Sequence, residues 1–299
     1  MTRILITGAN GLLGQKLIAL YRDQKDVHTI ATGIEDSRLG KGNYSYHTMD
    51  VTSEEEVLKV VSETAPDLII NTAALTQVDQ CETEREACWR LNVTAVANLI
   101  KAAEANNCFM VHLSTDFIFD GEAGPYKEDD VPAPVSYYGE SKLASEKLLE
   151  ESSIKYAIAR TQLVYGIVPN LGRSNIILWV KKSLEEGKQI KVVNDQWRTP
   201  TLAEDLAKGC ALIAKRRAEG VYNISGEELL TPYDMAMATC DFFDLDKSLI
   251  EEVDGSIFKQ TAKRPPKTGF ILDKAKSELG YQPVSFKEGI AVLKSQMEA

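Results

Sequence analysis

The stretch RILITGANGLLG, residues 3–14, decides the fold. An apolar run ends in Thr7 and Gly8, glycines follow at 8, 11 and 14, and an amphipathic pattern continues to about residue 23. A strand that turns through glycines into a helix lets the backbone approach a pyrophosphate. The charge of that group is met by free N–H groups and the positive end of the helix. The spacing is GxxGxxG, and a glycine triplet alone marks only a tight turn. The strand before it and the helix after it make the stretch a dinucleotide site, with Gly8, Asn10, Gly11, Leu12 and Gly14 as its residues.

Outward from this turn, short apolar runs alternate with longer amphipathic ones to about residue 114, the pattern of βαβ units in a parallel sheet. Strands are expected at 3–8, 27–32, 67–73 and 109–114, and helices at 11–23, 53–64 and 82–106. Ser53 and Glu56 have capping-box spacing. Beyond a Pro- and acid-rich loop (121–136), a helix is expected from Tyr138, a strand at 156–161, helices at 174–187 and 203–219, and a strand at 220–225. Thr231 and Pro232 read as an N-cap and first turn. The expected fold class is α/β, a doubly wound sheet of about seven parallel strands with a smaller discontinuous C-terminal substrate lobe. Residues 1–166 and 196–225 are assigned to the dinucleotide-binding domain, 167–195 and 226–299 to the lobe.

The 299 residues carry 34 Lys and Arg against 44 Asp and Glu, a net charge of −10, which disfavours nucleic acid as a partner. The five cysteines are scattered without CxxC pairs or clustered histidines, so neither disulfides nor a metal site is expected. No apolar run reaches the roughly 20 residues of a membrane span, and no signal-type segment opens the chain. A cytoplasmic location is expected.

YGESK puts Tyr138 and Lys142 on one helical face, where an ammonium beside a phenol favours the phenolate and makes an acid/base pair. The second strand ends in Thr32 and Gly33, without the carboxylate that meets a ribose 2′-hydroxyl. Arg38 and Lys41 follow. They are either solvated loop charges or, for Arg38, a partner for a 2′-phosphate, which points to NADP(H) with NAD(H) still open. His28, His47 and His112 match no motif and read as structural.

TGANGLLG (7–14), NTAALTQVD (71–79), LNVTAVANL (91–99), LSTDFIFDG (113–121), YYGESKLASE (137–146) and RTQLVYG (160–166) together resemble the extended short-chain dehydrogenase/reductases. Within them the chain is most similar to the dTDP-4-dehydrorhamnose reductases, a likeness that DQWRTPTLAEDLA (195–207) and GVYNISG (220–226) extend. The resemblance implies that Thr115 polarises the substrate carbonyl, that Tyr138 delivers a proton, and that Lys142 holds the nicotinamide ribose and tunes Tyr138. It implies Asp50 and Val51 beside the adenine, Ala73, Ala74 and Leu75 along the cofactor crossing, and Asn92 near the active site, where a buried structural role is the alternative.

Asp116 either touches the sugar or caps the next turn. Phe117 and Leu163 stand where these reductases carry tyrosine and tryptophan, which leaves the sugar open. Arg198, and Arg264 within RPPKTGFILDKAKSELGYQP (264–283), are candidates for a diphosphate or are basic ties between lobes. The implied function is NADP(H)-dependent reduction of the 4-keto group of a nucleotide-activated deoxysugar, dTDP-4-dehydrorhamnose to dTDP-L-rhamnose. Alternatives are a nucleotide-sugar epimerase or dehydratase, and a non-catalytic NADP-binding subunit resembling the methionine adenosyltransferase beta subunit. The partner is a nucleotide sugar, with no nucleic acid and no membrane; a homodimer stays open.

Overall fold

The computed structural model describes residues 1–169 and 174–298. Residues 170–173 of the expected segment 167–195, and the last residue, lie outside them. Seven strands form the central parallel sheet: β1 (Thr2–Thr7), β2 (Val27–Gly33), β3 (Tyr44–Thr48), β4 (Leu68–Asn71), β5 (Phe109–Thr115), β6 (Tyr156–Thr161) and β10 (Gly220–Asn223). Their order is β10-β6-β5-β4-β1-β2-β3, so the chain reverses direction across the sheet between β1 and β4. Ligands of open α/β sheets bind at such a point, outside the carboxyl ends of the strands.

Period-two alternation explains the two cores. Ile4 and Ile6 face one side of the sheet, Leu5 the other. On the first side pack α1 (Leu12–Tyr21) and α8 (Ala203–Arg216). On the second lie α2 (Glu54–Thr64), α5 (Ala95–Asn106) and α6 (Tyr137–Glu150). Both faces being covered, these strands are near-continuous apolar runs.

The remaining elements fill the carboxyl end. The pairs β7 (Val164–Tyr165) with β9 (Thr201–Leu202), and β8 (Ile190–Val193) with β11 (Ile250–Val253), are short parallel ladders. Around them α7 (Ile176–Glu185), α9 (Pro232–Phe243) and α10 (Phe286–Met297) enclose two smaller apolar clusters. Thr231 caps α9 in a full capping box, with Pro232 in the first turn. No helix among the described residues is long and apolar enough to cross a membrane.

Three local readings needed correction. Strand β3, YSYHT, was absent from the sequence-based elements: it is an edge strand with no fully buried residue, so it lacks the apolar run that announces its neighbours. The helix expected over 82–106 is α3 (Val78–Thr83), α4 (Arg85–Trp89), a π-helical segment (Arg90–Thr94) and α5. At α2 half of the capping box forms. The Ser53 hydroxyl accepts from Glu56 N, but the Glu56 carboxylate takes the Asp50 N–H at 2.7 Å.

The glycine turn leaves no room for a side chain. A Cβ on Gly14 would lie 2.5 Å from Gly8 O and 2.6 Å from Ala9 Cα, both backbone. Gly14→Ala should therefore lower unfolding free energy by about 1–3 kcal/mol in urea titration, the usual cost of overpacking. Gly40→Ala, with nothing within 4 Å, should leave it unchanged.

Candidate active site

At the switch point Gly8 adopts φ +62°, and a Cβ there would stand 3.0 Å from Ala73 N, so β1 and the coil after β4 touch through a glycine. Gly11 is the N-cap of helix α1, with no side-chain cap and no acidic residue in the first turn; its own N–H goes to Gly8 O, and the N–H groups of the first turn are left for an anion. Asn10 ties the turn to the next loop, its amide donating to Asp36 O and Tyr46 Oη while its Oδ1 accepts from Arg38 N. Leu12 begins α1. The coil of Ala73, Ala74 and Leu75 follows β4 beside this turn. Ser114 Oγ, buried one residue before Thr115, has no hydrogen-bond partner among the described residues, a group that a ligand would satisfy. These features fit a dinucleotide.

The expectation at the second strand needs amending. A carboxylate does reach this region: Glu35 ion-pairs with the exposed Arg38 guanidinium. Asp50 accepts from Thr52 N and Oγ1, Val51 O accepts from Asn98, and Val51 is buried. Asn92, on the π segment, accepts from Leu75 N at 2.8 Å and donates to Leu75 O and Ser141 Oγ at 3.1 and 3.0 Å. It fastens the cofactor-side coil to α6, which is a structural task.

Thr115 ends β5, and the Tyr138 phenol is buried near it. Tyr138 reaches this point because α6 lies hard against residues 116–118: a Cβ on Gly139 would stand 2.1 Å from Phe117 O. The Phe117 ring meets Tyr138 edge-on with centroids 5.7 Å apart. Burial pushes the phenol well above its ordinary range, Thr115 lowers it less, and Asp116 raises it. This corrects the expected lysine-stabilised phenolate. Lys142 Nζ turns to Leu113 O at 2.6 Å and His112 Nε2 at 3.1 Å, and the phenol stays protonated at neutral pH.

Asp116, Arg198 and Arg264 are engaged by protein. Asp116 is buried and accepts from Thr115 Oγ1 at 3.0 Å and from Thr268 Oγ1, with Arg198 Nε 3.6 Å away. It supports Thr115 and has little surface for a sugar. Burial raises its pKa and Arg198 lowers it. Arg198 donates to the carbonyls of Trp197, Pro265 and Pro266 at 2.7–3.2 Å, and its guanidinium is 5.9 Å from the Phe117 ring centre. These bonds favour the reading of Arg198 as a tie over that of a diphosphate ligand. Arg264 pairs two-pronged with Asp79, at 3.2 and 2.7 Å. Asp79, Gly139 and Ser114 carry no local signature of these roles in the sequence, and His112 reads there as structural.

Leu163, at φ +38°, opens a cavity of about 580 Å³ together with Trp179, Val192, Pro232 and Phe258. Its wall continues directly from β6, whose Thr161 is registered against Thr115. An apolar cavity that opens two residues beyond the end of β6 can hold a substrate with a planar or apolar portion.

Burial brings the Lys142 pKa down to about 8, with Glu146 and Cys88 opposing. The unfolded chain keeps this proton to its ordinary value of 10.5, so between the two it binds more protons than the folded one, and stability contributed at this site rises with pH. Relative to Lys142→Met, wild type should therefore gain thermal stability from about pH 8 to pH 10, as melting curves of the pair across pH would show. A difference that narrows or stays flat would contradict a depressed Lys142.

A model of the family described as RmlD substrate binding domain matches residues 1–298. The dTDP-4-dehydrorhamnose reductase of Aggregatibacter actinomycetemcomitans is 31% identical, covering 100% of both chains. Methionine adenosyltransferase 2 subunit beta of Mus musculus is 33% identical over 85% of this chain and 76% of its own. Among solved structures, a dTDP-4-dehydrorhamnose reductase from Clostridium acetobutylicum superposes with a TM-score of 0.89 at 29% identity, covering 100% of each chain. Another, from Bacillus anthracis in complex with NADP, gives 0.85 at 28% identity, over 99% of this chain and 100% of that one. By a match that runs from the glycine turn through the last helix, this chain belongs to the RmlD substrate binding domain family.

Proposed function

We propose that the chain is an NADP(H)-dependent reductase of the 4-keto group of a nucleotide-activated deoxysugar, with dTDP-4-dehydrorhamnose, giving dTDP-L-rhamnose, as its substrate. The observation that carries this reading is the burial of Tyr138 together with Thr115 at the carboxyl end of β5, close enough for Thr115 to shift the phenol, beside a turn suited to a dinucleotide. Similarity to the dTDP-4-dehydrorhamnose reductases supports it. Residues 1–166 and 196–225 hold the dinucleotide, and 167–195 with 226–299 the sugar nucleotide.

Gly8, Gly11, Leu12 and Gly14 form the turn around the pyrophosphate, with the first-turn N–H groups of α1 as donors while the Gly11 N–H stays on Gly8 O. Ala73, Ala74 and Leu75 line the crossing, Asp50 and Val51 flank the adenine, and Lys142 reaches the nicotinamide ribose. NADPH, when bound, supplies the hydride for the carbonyl carbon. Thr115 donates a hydrogen bond to the carbonyl oxygen once a substrate displaces its bond to Asp116. Tyr138, kept protonated by burial, gives its proton to that oxygen. Phe117 and Leu163 border the sugar, and the cavity beyond Leu163 takes the nucleotide.

Tyr138→Phe should leave NADPH binding intact and cut turnover by about 10²–10⁴-fold, as followed by NADPH absorbance. The decisive experiment measures NADPH oxidation against dTDP-, GDP- and UDP-linked 4-keto sugars, with the dTDP compound expected to react fastest. A second reading, a dinucleotide-binding subunit without turnover, draws on the 33% identity to the adenosyltransferase subunit. A flat panel with NADPH still bound would establish that reading instead.

Cofactor choice follows from Arg38. Its pair with Glu35 is exposed, and such pairs are worth about 0–1 kcal/mol, so the guanidinium can turn to a doubly charged 2′-phosphate. Arg38→Ala should weaken NADPH by about 1.5–3 kcal/mol and leave NADH nearly unchanged, in fluorescence titrations of both. Equal losses would mean that Arg38 orders the loop.

A further inference from the structure

His112, in β5, is 1% exposed, and the chemistry above does not use it. The Asn71 side-chain amide is 3.1 Å from its Nδ1; Ser145 Oγ at 3.0 Å and Lys142 Nζ at 3.1 Å approach its Nε2. The partners determine where the protons sit. Thr7 Oγ1 accepts N–H groups from Thr72 and Ala73 at 3.2 and 3.3 Å, so its own proton goes to Asn71 Oδ1 at 2.6 Å. That oxygen also takes the Ala73 N–H at 3.3 Å. The Asn71 NH₂ therefore faces His112 Nδ1, which must accept.

Burial, and then the nearby Lys142 charge, hold the imidazole well below its ordinary pKa, so the ring is neutral and its single proton is on Nε2. Ser145 gives its hydroxyl proton to Lys142 O at 2.7 Å and is left to accept from Nε2–H. Lys142 Nζ thus stands 3.1 Å from a ring donor, where no lone pair is offered to it.

We propose that His112 is a positioning residue for Lys142: held by Asn71 with its proton on Nε2 and turned to Ser145, it presents Nζ with a donor edge and no lone pair. The ammonium's own N–H then goes to Leu113 O. The proposal deepens the reading of Lys142 given above and rests on it for its catalytic meaning. A neutral lysine could accept from Nε2–H, so the same contact eases loss of the Lys142 proton. The other groups around the ammonium work the opposite way: Glu146, along α6 and itself paired with Arg160, and Cys88 from α4. Cys81 and Asp116 face Tyr138.

The test uses the whole protein without substrate. The titration of Lys142 is followed through the ¹³C shift of its Cε, assigned by its loss in Lys142→Met, and wild type is expected near pH 8. His112→Leu removes the donor, and the midpoint should rise by roughly half a pH unit or more. Ser145→Ala removes the competing acceptor and commits Nε2–H to Lys142, so the midpoint should fall. Imidazole ¹⁵N shifts should show the neutral Nε2–H form of His112 from about pH 6 to 9. A purely structural histidine would not move the two midpoints in opposite directions. Any other pattern overturns the assignment, including unmoved midpoints, shifts of one sign, or a proton on Nδ1. Should His112→Leu not fold, Ser145→Ala and the ¹⁵N spectrum decide between the outcomes. A chain that binds NADPH but reduces no keto sugar would overturn the proposed function and leave this measurement in force.

Discussion

Helix α6 turns a polar face into the molecule, and the site depends on how the groups of that face are met. Tyr138, Lys142, Ser145 and Glu146 are all buried. An unpaired polar group there would cost about 1–3 kcal/mol, and a charge more. Three have their answer in the strands beneath, Leu113 O for Lys142, His112 for Ser145, and a two-pronged Arg160 for Glu146 at 3.1 and 2.7 Å, while Tyr138 is packed against Phe117 near Thr115. These bonds fix the rotation and height of α6 on the sheet, which puts the phenol at the end of β5.

The same economy governs the switch point. Gly8 and Gly14 allow β1, the coil after β4 and the start of α1 to come within backbone contact. Thr7 Oγ1, at the end of β1, then hydrogen-bonds Asn71, Thr72 and Ala73. One chain of hydrogen bonds therefore runs from the dinucleotide turn through Asn71 and His112 to Ser145, with His112 Nε2 3.1 Å from Lys142 Nζ. The glycine turn and the buried face of α6 are mechanically one unit.

The C-terminal segment joins that unit through charge. Thr268 and Arg198 meet Asp116 directly behind Thr115, while Arg264 and Ala262 N meet Asp79 on α3. Residues 262–268 thereby lie across the carboxyl end of the sheet, and the basic groups that could have been ligands for phosphate serve to close the site.

Local spacing was enough to show much of this. The glycine turn, the buried strands, the caps of α2 and α9, and the shared face of Tyr138 and Lys142 are legible because helix and strand periods place near neighbours in sequence near each other in space. The edge strand β3 was not, since it buries no continuous apolar run, and neither was the π segment that aims Asn92 at Leu75. What Arg198, Arg264, Asp116 and His112 do was decided by the tertiary structure alone. Their partners lie far along the chain, 185 residues away for Asp79 and Arg264 and 152 for Asp116 and Thr268. A charge or a ring nitrogen has no period of its own, and its role is set by whichever group folding brings within about 3 Å.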